Sequence, residues 1–310
     1  MTQDYILRWI GNWFWPGNIA KYWFSAYDRT DIMAQTFADN LYDVHMSGSD
    51  LRKGRDLTIG EIGKDRPYLI LNSTNATAEH DMFGQSFTFT QEDFNRCLDS
   101  DINEYSIARA VMASASFPAA FNSMTLLNYK NHDNEPHYIH VFDGGNVDNL
   151  GLKSVERIFN TMEQKGIDYK TVVVILVDAY TDAAGIHETL ADPRSGLDFF
   201  VDSNFIDATD SLLAANRDKI ISDFVTKFES LKDSSKSLFY HLKFADVEDE
   251  KLNNRLNRIA TSFNIKDESV ADIDKAVERL LTPQNPCLIS IKQLLETNQH
   301  DGNSICHYSH

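Results

Sequence analysis

The amino-acid sequence predicts an α/β fold, and three observations support this class. The run from Thr171 to Val177 is dominated by β-branched residues, which is typical of a strand buried on both faces. A strand-like segment from Tyr138 to Phe142 and an amphipathic helical segment from Leu150 to Lys165 precede it, so the three together predict a βαβ unit. Beyond Leu197 the sequence predicts helices joined by polar loops.

The N-terminal half contains four further predicted elements. Apolar residues at helical spacing predict a helix from Thr30 to Leu41. Tyr68–Thr74 and Gln85–Thr90 are strand-like, and the second alternates with a period of two. Ser106–Ser116 is a helix of small residues that ends before Pro118, because proline disfavours helical backbone in the residue before it.

Two helices are the strongest predictions in the C-terminal half. They cover Asp207–Lys227 and Ser269–Leu281. Neither an internal repeat nor a clear linker interrupts the chain, which favours one domain with a helical C-terminal elaboration.

Composition excludes several classes of function. The chain has 310 residues and a formal net charge of −17, which argues against nucleic acid as a partner because phosphate backbones require a cationic surface. Its three cysteines, Cys97, Cys287 and Cys306, are too far apart to predict a disulfide framework or a zinc site. The longest apolar run is too short to span a bilayer, so no transmembrane segment is predicted.

All four tryptophans lie between Tyr5 and Tyr27. Two interpretations fit this segment. It either packs on the core, or it forms an interfacial anchor that contacts lipid through aromatic side chains.

The candidate catalytic residue is an aspartate that follows the predicted strand Tyr138–Phe142. Asp143 is followed by Gly144 and Gly145, so its carboxylate is expected at the rim of a sheet, with space for a substrate. A carboxylate in this position can accept a proton from an alcohol, although a simple turn after a strand is the alternative interpretation. His137 and His140 would point to opposite faces of the strand, so no metal site is predicted with Asp143.

Three segments in this order resemble the patatin-like phospholipase family, in its bacterial branch. The first is Arg66–Asn75, which Phe87–Phe89 follows. The other two are A-S-x-x-F-P-x-x-F, which ends at Phe121, and D-G-G-x-x-x-N, which runs from Asp143 to Asn149. The resemblance covers roughly residues 5–282 and predicts a patatin-like domain over residues 1–282 and a tail over 283–310. It implies a three-layer α/β/α fold around a mostly parallel sheet that is incomplete on its N-terminal side.

The resemblance also implies a function. Members hydrolyse acyl esters of lipids with a serine nucleophile and an aspartate base, without a cofactor or a metal. The base maps onto Asp143, and Gly144, Gly145 and Asn149 complete its loop, where Asn149 would hold the loop in place. Gly151 stands where many relatives have proline. Lipid or phospholipid is the implied substrate, and a membrane surface is a plausible partner.

The chain departs from the family in lacking a G-x-S-x-G nucleophile motif and a Gly-rich oxyanion segment. The nucleophile is therefore expected outside this chain, either on a separate N-terminal polypeptide or in a portion that a truncated gene product has lost. Two functions follow. One is a lipid acyl hydrolase to which this chain contributes only the aspartate, and the other is an inactive remnant or lipid-binding module.

Overall fold

A computed structural model describes most of the chain. The described residues are 5–25, 27–41, 43–45, 51–53, 57–63, 65–78, 82–117, 121–130, 135, 137–181, 203–231, 234–259, 265–300 and 303–307. They form two compact units, one within Asp4–Gly151 and the other within Leu152–His310.

The first unit combines helices with antiparallel sheets. Its helices are α1 (Tyr5–Trp13), α2 (Pro16–Phe24), α3 (Arg29–Leu41), α4 (Gln91–Asp93), α5 (Ile107–Ser114) and α6 (Gly145–Asp148). Its strands are β1 (Asp43–His45), β2 (Leu51–Lys53), β3 (Asn72–Asn75), β4 (Ser86–Thr88), β5 (Met124–Asn128) and β6 (His137–Asp143). β1 pairs with β2, and the other four form a sheet in the order β4-β3-β6-β5 with every pair antiparallel.

Local capping fixes the helices that were predicted in this unit. The Asp28 carboxylate accepts a hydrogen bond from the Thr30 amide at 2.7 Å, which starts α3 close to its predicted position. The Ser106 hydroxyl accepts from the Arg109 amide at 3.1 Å and caps α5 in the same way. Both predicted helices are confirmed.

The core of the first unit lies between α3, α5 and the four-stranded sheet. Met33 and Phe37 come from α3, and Ile139 and Val141 come from the buried face of β6. A cluster of aromatic rings around Phe89 extends this core. Each such side chain contributes on the order of 1.5–3 kcal/mol when fully buried, so the core holds β6 and its C-terminal end in place.

The second unit contains a parallel sheet covered by longer helices. Its elements are α7 (Leu152–Gln164), β7 (Val172–Asp178), α8 (Ser203–Glu229), β8 (Ser237–Lys243), α9 (Glu250–Leu256), α10 (Asp267–Leu280), α11 (Pro286–Thr297) and β9 (Ile305–Cys306). The strands pair in the order β7-β8-β9, all parallel. Both helices predicted beyond Leu197, now α8 and α10, are confirmed. No helix in the described ranges has the length and apolarity needed to cross a bilayer.

The chain combines helices with sheets, as predicted, but the predicted βαβ unit is wrong. β6 belongs to the antiparallel sheet of the first unit, and β7 belongs to the parallel sheet of the second. A single mostly parallel sheet is therefore not what the described residues form. The β-branched run of β7 indicates a strand, but a run of this kind does not encode the partner or its direction.

The prediction that β7 is buried on both faces is also wrong. Val177 is 71% exposed, and Ile175 is exposed as well. Among the described strands, β7 pairs with β8 alone and so lies at one edge of its sheet. Ile175 and Val177 are two positions apart and therefore project from the same face of the sheet, whereas Leu176 on the opposite face is buried.

A disulfide joins Cys287 in α11 to Cys306 in β9. The sequence did not predict this bridge, because a separation of 19 residues carries no spacing signature. Cys287 is fully buried beside Leu238 and Leu294, so the bridge fastens the C-terminal strand to a packed helix. These elements lie in the range that the sequence predicted as a tail.

Loss of this disulfide is expected to destabilise the second unit. Cys306→Ser should lower the free energy of unfolding by about 3 kcal/mol, because a bridge closing a loop of this size restricts the unfolded chain. Urea denaturation followed by circular dichroism measures the change. Reductant should lower the midpoint of the natural chain and leave that of Cys306→Ser unchanged; equal midpoints for the two chains without reductant would contradict the assignment.

Candidate active site

Asp143 is the last residue of β6, and neighbours on both sides hold its backbone. On the β3 side, the Thr74 hydroxyl donates to the Asp143 carbonyl at 2.7 Å. At the C-terminal end of α5, the Ser116 carbonyl accepts from the Asp143 amide and the Ser114 carbonyl accepts from the Gly144 amide, both at 3.1 Å. The strand end is thus fixed by a sheet partner and a helix terminus together.

The Asp143 carboxylate lines a cleft and has no cationic partner in the part of the chain that the structure describes. Its Oδ1 atom accepts a hydrogen bond from the Gly145 amide at 2.7 Å. The cleft has a volume of about 250 Å³. Burial raises the pKa of Asp143 above its ordinary value, and the Gly145 hydrogen bond opposes this only in part. The carboxylate is therefore a stronger base than an exposed aspartate.

Gly144 is required by space rather than by backbone conformation. A Cβ atom on this residue would stand 2.2 Å from the carbonyl oxygen of Asn72 in β3. Its φ of −69° and ψ of −23° are open to any residue, so the backbone conformation does not require glycine here. The glycine lets β3 approach the turn that carries Asp143.

Gly145 leaves room for the carboxylate itself. A Cβ atom on it would lie 2.9 Å from both the Asp143 Oδ1 atom and the Asn149 Oδ1 atom. A side chain at this position would displace the Asp143 carboxylate or the Asn149 amide, so glycine favours the hydrogen bond from the Gly145 amide to Asp143.

These observations place an accessible, partly desolvated aspartate at the tip of a strand, within a D-G-G turn. Residues 2–155 match the family model of the patatin-like phospholipases. The patatin-like segment contains Asp143, Gly144, Gly145 and Asn149, and it spans the whole four-stranded sheet. Residues 2–155 are therefore similar to a family of lipid acyl hydrolases. No curated protein and no solved structure gives a significant match to the chain.

Asn149 and Gly151 close the turn after the D-G-G motif. Asn149 is exposed and lines the cleft, and its side chain forms no hydrogen bond with any described residue. The loop is instead closed by the backbone, where the Gly151 amide donates to the Asp148 carbonyl at 3.2 Å. Gly151 has a φ of +71°, which proline cannot adopt. The turn in this chain therefore could not accept the proline that many relatives have at this position.

Two residues of the patatin-like segment that sequence reasoning missed also line the cleft. The Asn72 side-chain amide donates to the buried Asp148 carboxylate at 3.3 Å. Asp148 could have been noticed from its place one helical turn after Gly144. Asn72 has no sequence motif around it that would indicate this role, because the residues that it meets in the cleft, Gly144 and Asp148, are more than seventy positions away.

No serine hydroxyl within the described ranges forms a hydrogen bond with the Asp143 carboxylate. Ser116 is buried and donates to the Met112 carbonyl at 2.6 Å. Ser73, opposite Asp143 in β3, is only 1% exposed and therefore closed to a substrate. Ser114 lines the cleft, but its chain position lacks the glycines of a nucleophile elbow.

Asp178, an aspartate at the end of a strand in the other unit, differs from Asp143 in its charge environment. Asp178 ends β7 and accepts hydrogen bonds from His241 Nε2 at 2.9 Å and from Arg217 Nε at 3.0 Å. Burial alone would raise the pKa of Asp178, but these donors lower it to about 2. Its charge is neutralised by fixed partners, so Asp178 is suited to structure and Asp143 to proton transfer.

Proposed function

We propose that this chain contributes the base of a Ser–Asp dyad that hydrolyses acyl esters of lipids, with phospholipids as the substrate class. The observation that supports it is the Asp143 carboxylate in an open cleft with its pKa raised by burial and no cation beside it. The match of residues 2–155 to a phospholipase family supports the choice of substrate.

In the proposed reaction, Asp143 accepts the proton of a serine hydroxyl as the oxygen attacks the acyl carbonyl. The ester C–O bond breaks, the departing alcohol takes the proton from Asp143, and an acyl-serine remains. Water then attacks the acyl-serine and gives a proton to Asp143, which passes it to the departing serine oxygen, so that the fatty acid is released and the serine hydroxyl is restored. No cofactor or metal takes part in this scheme.

The serine is assigned in this proposal to a polypeptide outside the 310 residues, because none of them lies in a G-x-S-x-G motif. The proposal includes a three-layer α/β/α arrangement completed by that polypeptide, and membership of the bacterial branch of the family. A patatin-like domain over residues 1–282 and a tail over 283–310 stay predictions.

A lipid-binding module without turnover is the second candidate. It is favoured by the lack of a described serine hydroxyl that meets the Asp143 carboxylate. In this case the cleft would hold lipid, and Asp143 would have no alcohol to deprotonate.

Hydrolysis of a fluorogenic phospholipid tests the proposal. The chain is assayed alone and together with a polypeptide that carries a G-x-S-x-G motif, and a fluorophosphonate probe labels any activated serine. We expect turnover and labelling in the mixture, with both lost in Asp143→Asn. Turnover that survives Asp143→Asn would refute the dyad, and vesicle binding without any turnover would favour the lipid-binding module.

A further inference from the structure

Helix α1 contacts its own unit through one face and exposes apolar side chains on the other. Trp9 donates from Nε1 to the Arg29 carbonyl at 2.9 Å, and its ring centroid lies 5.2 Å from that of Phe121. Asn12, one turn further on, donates to the Thr36 hydroxyl at 2.8 Å. These contacts fix the orientation of α1, so its remaining apolar residues project outward as a result of the packing.

Exposed apolar residues recur in α1, the following turn and α2, and we call this group the aromatic face. Its members are Leu7, Ile10, Phe14, Trp15, Trp23 and Phe24, all of them exposed. Phe14 is 72% exposed and Phe24 is 89% exposed, and α2 contains no buried residue. Surface helices normally turn their apolar stripe to the core, and a large exposed apolar patch marks an interaction surface.

The charge of this region differs in sign from that of the whole protein. Residues 5–27 contain Arg8 and Lys21 and no acidic residue, whereas the chain as a whole carries a net charge of −17. Both basic side chains are exposed. The surface that fits them is therefore apolar beneath a negatively charged layer, which is the chemistry of an anionic phospholipid bilayer.

We propose that the aromatic face docks the protein on an anionic phospholipid bilayer, with α1 and α2 lying in the interface. Tryptophan side chains favour this depth because they combine an apolar ring with a polar N–H group. Each helix has nine residues, which is too short to span the bilayer. Face-to-face pairing of two copies would instead bring two segments of the same sign of charge together, since residues 5–27 contain basic residues and no acidic ones.

This inference concerns docking and does not require that the proposed hydrolysis occurs. Intrinsic fluorescence reports on it directly, because all four tryptophans lie between Trp9 and Trp23. Vesicles of phosphatidylcholine, with or without phosphatidylglycerol, are added to the full chain. We expect a blue shift and quenching by brominated lipid, with stronger binding to the vesicles that contain phosphatidylglycerol and weaker binding at high salt.

Matched variants separate the aromatic face from general hydrophobicity. Phe14→Ser and Phe24→Ser should each weaken binding to anionic vesicles about tenfold, because each removes the insertion of one aromatic ring. Phe83→Ser is the control, since Phe83 is 67% exposed and lies outside the face. Its binding should equal that of the natural chain.

Three results would overturn the docking proposal. They are equal losses of binding in Phe83→Ser and Phe14→Ser, a fluorescence shift that does not depend on phosphatidylglycerol, and a dimer of the natural chain that Phe14→Ser dissociates while vesicle binding is absent. The last result would assign the aromatic face to a second copy of the chain.

Discussion

Asp143→Asn is expected to lower phospholipid hydrolysis by about a hundredfold to ten-thousandfold, which is the range for removal of a general base. The asparagine amide keeps the size of the carboxylate and can still accept from the Gly145 amide, so the turn should persist. It cannot take the serine proton, and the acyl transfer step therefore loses its base. Initial rates measured in a mixture that contains the serine-bearing polypeptide give the change.

The same substitution should not reduce stability at neutral pH, and it is expected to increase it. The pKa of Asp143 is raised from 3.8 in the folded chain, so the folded state binds the proton more tightly than the unfolded state does. Stability therefore falls as pH rises from the ordinary aspartate value through the raised value, and stays lower above it. Asparagine has no charge to bury, so the difference between the two chains should disappear at acidic pH.

Asp178→Asn provides the matched control, with the opposite sign. The pKa of Asp178 is lowered to about 2, so its carboxylate contributes stability above the ordinary aspartate value, and that contribution is lost as pH falls toward 2. Asp178→Asn should therefore destabilise the chain at neutral pH. Denaturation curves for both variants at several pH values measure these changes, and a loss of stability in Asp143→Asn at neutral pH would contradict the assignment of a desolvated base.

Gly144→Ala is expected to have the largest effect on folding. The added methyl group would stand 2.2 Å from the Asn72 carbonyl oxygen, and backbone atoms cannot yield as the end of a side chain can. Separating β3 from the D-G-G turn would disturb the pairing of Ser73 with Asp143. We expect a loss of about 3 kcal/mol or more in the free energy of unfolding.

Gly11→Ala is the control for this substitution. Gly11 lies in α1, and a Cβ atom there would meet nothing within 4 Å. Alanine is favoured over glycine in a helix by about 1 kcal/mol, so this variant should be as stable as the natural chain or slightly more so. Thermal denaturation of Gly144→Ala and Gly11→Ala measures the difference in stability. Equal melting temperatures for the two variants would show that the turn can move away from β3.

Short-range sequence patterns predicted the helices and strands that carry the candidate site, but they did not predict which strands pair with one another. The helical spacing of α3, the small residues of α5 and the strand before Asp143 are written within a few consecutive residues, and all three elements form. The pairing of β6 with β3 joins residues about seventy positions apart, and no local pattern records it. The expectation of a parallel neighbour for β6 failed for this reason.

The candidate site divides in the same way. Asp143, Gly144, Gly145 and Asn149 were found because they are close together in one motif. Asn72 was missed because its role depends on a backbone approach that only the folded chain creates. The motif also predicted that the two glycines matter, but the reason proved to be room for Asn72 and for the carboxylate.

The outer side of β7 has a consequence for the behaviour of the protein at high concentration. In the described part of the chain, this strand is paired along one side only, and Val177 on it is largely exposed. A row of main-chain donors and acceptors next to apolar side chains is a template on which a further strand can add. Intermolecular strand addition at β7 is thus one route to self-assembly that the described part of the second unit offers, and crowding would promote it.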